Sequence, residues 1–132
     1  MRITADTNVL LRGAVLDDLR QVQLAARVLR EAESVAISIS ALCEFVWVLR
    51  RGYKRGSTEI AQSIRFLIES ANVVTDRPAV EAGLKVLDAG GDFADGVIAH
   101  EGKWLGGEEF VSFDKDAIKV LKTQGTPARL LA

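Results

Sequence analysis

Residues 2–8, Arg2-Ile3-Thr4-Ala5-Asp6-Thr7-Asn8, decide how this chain is read. A short β-favouring run stops at a carboxylate flanked by two small hydrogen-bonding side chains, the pattern of a buried strand whose last residue does chemistry. In open parallel α/β sheets, ligands bind in the crevice beyond the carboxyl ends of the strands. Asp6 is therefore expected where such a crevice opens, and three further acids are candidates for the same place.

A chain of 132 residues with net charge −1 and 48% hydrophobic content suits one compact domain with a real core, and no boundary is placed within residues 1–132. The single Cys43 leaves no internal disulfide and lies in an apolar helical run, so it reads as a buried small hydrophobe in a reducing compartment. No apolar run approaches the roughly 20 residues of a membrane span, and the N-terminus lacks a secretory pattern. The expectation is a soluble, cytoplasmic protein. Because the net charge is near zero, composition does not argue for a nucleic-acid partner, and the placement of charges has to.

Beyond Asp6 the sequence predicts a short helix through Val9–Leu11, a turn near Gly13 and a helix over 17–33. In that helix Leu19, Val22, Ala26 and Leu29 share one face, with Ala25 and Val28 beside them. Residues 35–39 lack a helical period and read as a second buried strand. Ser40 is expected to cap a helix to about Arg51, in which Ala41, Leu42, Phe45, Val48 and Leu49 form one apolar arc with Glu44 at its margin. Val46 and Trp47 fall to the two sides of that arc, an apolar surplus suggesting contact with another chain. Ser57 is expected to cap the next helix, 73–75 to form a strand, and Asp76 with Pro78 to start a helix ending at Gly90-Gly91. Asp92 and Asp95 open a further helix at N-cap and N3 spacing. Phe110-Val111-Ser112-Phe113 repeats the opening pattern with Asp114 at its end and Asp116 two residues on, and 127–131 can form a last edge strand.

Arg50-Arg51-Gly52-Tyr53-Lys54-Arg55-Gly56 has two readings. One is a helix C-terminus with favourable cations and a solvated loop. The other is a loop in which Arg50, Arg51, Lys54 and Arg55 contact phosphates and the aromatic stacks on a base.

Asp6 and Asp114 close apolar strands, Glu44 sits on one helix and Asp95 opens another. Singly, each is a common cap; together they form a pattern, because like charges brought close cost stability unless a cation joins them. Oxygen donors without His or Cys select Mg²⁺ or Mn²⁺ over a structural zinc, and such an ion suits phosphoryl chemistry, with one acid orienting or deprotonating water. The lone histidine, His100, reads as a satisfied or exposed side chain. It leaves no Ser-His-Asp or Cys-His arrangement, and neither Gly90-Gly91 nor Gly106-Gly107 has Walker spacing.

Asp6-Thr7-Asn8, Glu44, Asp92-Phe93-Ala94-Asp95-Gly96-Val97-Ile98-Ala99 and Phe113-Asp114-Lys115-Asp116 resemble the successive motifs of PIN-domain ribonucleases, and among these most closely the VapC toxins of bacterial toxin–antitoxin pairs. The resemblance covers nearly the whole chain. It implies a three-layer α/β/α domain with a five-stranded parallel sheet, metal-dependent endonucleolytic cleavage of RNA, a homodimer, and a heteromeric complex with an inhibitory VapB-type antitoxin. By position, Asp6, Glu44, Asp95 and Asp114 match the metal-binding, catalytic acids and Asp116 a less constant fifth. Thr7 and Asn8 match residues that brace the first carboxylate, and Asp92 a supporting acid. Gly96 departs from the usual alanine, a helix-weakening change of about 1 kcal/mol. Trp47 and Val46 lie on the helix that in this family borders the antitoxin groove, and Trp104 ends the helix after Asp95; one of the two tryptophans is expected to touch another chain.

Three rivals fit less of the pattern. A haloacid-dehalogenase-like phosphatase also ends its first strand in Asp but needs a second Asp where Asn8 stands. Response-regulator receivers need a paired acid before the first helix and a lysine after the last core strand, and Lys115 is misplaced for that. A non-catalytic binding module of the same fold would not need all four acids.

Overall fold

A computed structural model describes all 132 residues. The chain divides into two compact units, Met1–Asp76 and Arg77–Ala132. In the first, β1 (Arg2–Thr4), α1 (Thr7–Ala14), α2 (Leu19–Glu31), β2 (Ser34–Ala36), α3 (Ile39–Arg51), α4 (Ser57–Glu69) and β3 (Val73–Val74) follow in order. The second contains α5 (Arg77–Asp88), α6 (Phe93–Trp104), β4 (Phe110–Ser112), α7 (Lys115–Thr123) and β5 (Ala128–Leu130).

All strand pairs are parallel, although β1 and β5 each carry an exposed arginine and are not buried apolar runs. In the first unit the order is β1-β2-β3, with Ile3 opposite Val35 and Val35 opposite Val73. Helical crossovers join consecutive strands, and Leu10, Val35, Leu42, Phe45, Leu49, Ile60 and Ile64 form the buried interior. In the second unit β4 pairs with β5, Val111 opposite Arg129. Val86, Ile118, Leu121 and Ala128 pack there as one cluster.

The expected five-stranded sheet is thus replaced by a three-stranded and a two-stranded sheet. Each strand is only two or three residues long. Such short ladders contribute few hydrogen bonds, and most backbone pairing lies in the seven helices. No helix is long and apolar enough to cross a membrane.

Several boundaries move for local reasons. The strand expected over 35–39 stops at Ala36, although Ile37 N–H still donates to the Val74 carbonyl at 3.0 Å. Ser38, not Ser40, caps α3: its Oγ accepts from Ala41 N–H at 3.1 Å. Ser38→Ala should lower stability by about 1 kcal/mol, measured by urea denaturation, while Ser40→Ala should change it little. α1 continues through Gly13 to Ala14, and α2 starts after Asp18, whose carboxylate caps Gln21 N–H at 3.1 Å. Gly56 occupies the N-cap of α4, and Ser57 instead accepts from Arg50 Nη2 at 3.1 Å. Cys43 is half-buried, not buried. On α2 only Ala25 is buried, with Leu19 and Val28 exposed.

Gly96, next to Asp95, has a packing role. A Cβ on Gly96 would lie 2.4 Å from the Ala82 carbonyl oxygen and 2.9 Å from the Gly83 Cα; one on Gly83 would lie 2.6 Å from the Phe93 ring. α5 and α6 therefore meet backbone to backbone, with Phe93 fully buried between them. This contact fixes where α6 begins, and with it the position of Asp95.

Candidate functional site

In the first unit, β1 runs through Ala5, whose N–H donates to the Ala36 carbonyl at 3.0 Å, and Asp6 follows at the N-cap of α1. Its backbone is extended, yet its side chain makes no capping bond and is exposed. Both carboxylate oxygens are thus uncommitted. Thr7, the only buried polar residue, begins α1, and Asn8 beside it is exposed. Glu44 is exposed on α3.

The second unit contains four of the predicted acids, Asp92, Asp95, Asp114 and Asp116. Asp92 is the N-cap of α6, its Oδ1 accepting from Ala94 N–H at 3.2 Å. Asp114 is the N-cap of α7, its Oδ1 accepting from Asp116 N–H at 2.9 Å and Ala117 N–H at 3.2 Å. Ser112 Oγ accepts from Asp114 N–H at 2.9 Å and ties the strand end to that cap. Asp95, in the first turn of α6, is half-buried; its N–H donates to the Asp92 carbonyl at 3.1 Å, but its carboxylate makes no hydrogen bond or ion pair. Burial, and then the neighbouring charges of Asp92 and Asp114, raise its pKa above 3.8. Asp116 is exposed in the first turn of α7 and does not contribute to that shift.

A half-buried carboxylate with two anionic neighbours and no counter-ion is stabilised by either a proton or a metal cation. The all-oxygen donors fit a hard divalent ion in kind. As the side chains stand, within neither unit do three His, Cys, Asp or Glu residues gather into a group that could hold a metal.

The proton alternative makes a pH prediction. Between pH 3.8 and the raised native value, the folded chain holds the Asp95 proton and the unfolded chain has lost it. The stabilisation is therefore full below 3.8 and disappears as pH rises through the folded value. Denaturant titrations in EDTA across that window should show stability falling with pH in the parent relative to Asp95→Asn.

The basic stretch is only partly free. Arg50 bonds Ser57, and Arg55 pairs with Glu59 at 3.5 Å. The Arg51 guanidinium lies over the Trp47 ring, 5.9 Å from its centroid, and Lys54 is exposed without an ionic partner. Tyr53, the aromatic expected to stack on a base, is half-buried and its hydroxyl donates to Asp17 at 3.0 Å, which chiefly accounts for the lowered pKa of that acid. His100 is half-buried on α6. Val46 is buried, so of the expected apolar surplus on α3 only Trp47 is presented to solvent.

The structure is thus a helix-rich α/β chain with parallel strands, an acid after its first strand and acids capping its later helices. The sequence matches the PIN domain family over residues 3–122, and the chain belongs to that family. PIN domains are generally metal-dependent nucleases, which supports a hydrolase acting on nucleic acid. No curated protein matches the sequence.

Proposed function

We propose that this PIN domain is an Mg²⁺- or Mn²⁺-dependent endoribonuclease, the toxin of a VapBC-type pair, acting as a homodimer held in check by a cognate VapB-type antitoxin. The observation that carries the metal-dependent part of the proposal is Asp95, a half-buried carboxylate beside Asp92 and Asp114 with no paired base; the toxin role and its partners rest on the motif resemblance alone. By the family motif, Asp6, Asp95 and Asp114 would hold the metal, Glu44 would bind it or orient the water, and Asp116 would be a fifth acid. When bound there, the ion supplies a water of lowered pKa and offsets charge on the phosphate oxygens.

The chain's own residues divide the rest of the work. Asp6 offers two uncommitted oxygens, while Asp114 spends Oδ1 on the α7 cap and keeps Oδ2. Asp92 fixes the first turn of α6 and so the direction in which Asp95 projects. Thr7 and Asn8 would brace the strand end that carries Asp6. Arg51 and Lys54, free of acidic partners, would meet RNA phosphates first, and Arg50 and Arg55 could join by releasing Ser57 and Glu59.

The test is to incubate the purified, antitoxin-free protein with a mixed RNA pool and Mg²⁺ or Mn²⁺. Cleavage abolished by EDTA and by Asp6→Asn supports the proposal. Cleavage at the parental rate by a folded Asp6→Asn protein would refute it.

A further inference from the structure

Glu44, Trp47 and Arg51 follow one another along α3 at intervals of three and four residues, the spacing of a single helix face. All three are exposed, whereas Leu42, Phe45, Val46 and Leu49 on the remaining sides are buried. Trp47 is 61% exposed, so the core does not account for it. The guanidinium of Arg51, 5.9 Å from the ring centroid, is within cation–π range and steadies the indole.

The cation over the ring and the basic residues that follow it in the chain indicate the occupant of Trp47. Arg50 and Arg51 end the helix, and the loop adds Lys54, held at φ 55° and without an ionic partner. Glu59, the nearby acid of α4, is already paired with Arg55. An apolar protein surface laid over Trp47 would have to desolvate Arg51 as well, a cost with no compensating acid on this face other than Glu44. A single-stranded polyanion meets both demands, placing phosphates on the cations and a base on the ring. Tyr53 cannot take that part while its hydroxyl is held by Asp17.

We propose that Trp47, backed by Arg51, is a base-stacking site for single-stranded RNA, which seats a nucleotide one helical turn from Glu44. The choice of RNA rests on the nuclease reading above. Stacking accepts any base, so this site would select single strands over duplexes and leave sequence choice to other contacts.

The test uses the full chain carrying Trp104→Phe, which leaves Trp47 as its only tryptophan, in EDTA so that binding is read without cleavage. A mixed-sequence single strand of about 12 nucleotides should quench Trp47 fluorescence, and a duplex or an abasic strand of the same length should not. Trp47→Ala, followed by fluorescence anisotropy of labelled RNA, should weaken binding roughly tenfold with an unchanged salt slope, and Trp47→Phe should restore most of it. Arg51→Ala should also reduce the salt slope by about 0.7. Unchanged affinity in Trp47→Ala, or equal quenching by the duplex or abasic strand, would overturn the inference. So would a Trp47 emission shift driven by protein concentration alone, which would show that this face meets a second copy. Quenching by RNA in a protein that cleaves none with metal present would remove the nuclease reading and leave the stacking site standing.

Discussion

Replacing Asp95 with Asn should produce a protein that is more stable than its parent in EDTA near neutral pH and that has lost nuclease activity. The stability gain follows from electrostatics: the parent pays to keep a half-buried charge beside Asp92 and Asp114, and the amide does not. Asn is close to Asp in size, and the carboxylate makes no hydrogen bond that the amide would lose. The loss of activity should be at least roughly 100-fold, above the 10–100-fold that removing an outer partner of a metal ligand costs. A thermal scan with and without Mn²⁺ separates the two effects. Metal should raise the melting temperature of the parent and leave Asp95→Asn nearly unmoved. A variant less stable than the parent in EDTA would show that the Asp95 charge is already compensated.

The second large effect concerns Gly96. Glycine to alanine inside a helix ordinarily gains up to about 1 kcal/mol, and alanine is the usual family residue here, so sequence reasoning predicts that Gly96→Ala stabilises. The packing predicts the reverse. The added Cβ would stand 2.4 Å from the Ala82 carbonyl oxygen, and neither the Cβ, fixed by its own backbone, nor the helical carbonyl can rotate away. Overpacking of this kind costs about 1–3 kcal/mol, and α5 must shift to relieve it. Because α6 carries Asp95 in its first turn, the displacement should also lower activity. Urea denaturation gives the sign directly: a midpoint above that of the parent would mean that α5 and α6 do not approach as closely as described.

Where a feature depends on neighbours in sequence, it was legible without coordinates. Asp6 does follow β1, and Asp92 and Asp114 do cap helices, because a short acid before a helix satisfies free N–H groups a few residues ahead. Strands β2, β3 and β4 fall within apolar runs that lack a helical period, whereas β1 and β5 are not buried runs and have exposed residues. What stayed hidden is tertiary. The bond from Tyr53 to Asp17 spans 36 residues and converts a supposed stacking aromatic into a loop anchor. The Gly83–Gly96 approach brings together two helices whose separate sequences show only an isolated glycine each. The division into two short sheets depends on ladder length, which apolar runs do not set. At Ser38 and Ser40 two equivalent caps competed, and the backbone turned at the first.

Whether the acids of this PIN domain hold a divalent metal is decided by calorimetric titration of Mn²⁺ into the purified chain. Binding should be saturable, weaken as pH falls toward the raised pKa of Asp95, and be removed or greatly weakened by each of Asp6→Asn, Asp95→Asn and Asp114→Asn. A folded parent that binds no Mn²⁺ or Mg²⁺ would contradict the metal reading and indicate a PIN fold that works by binding alone.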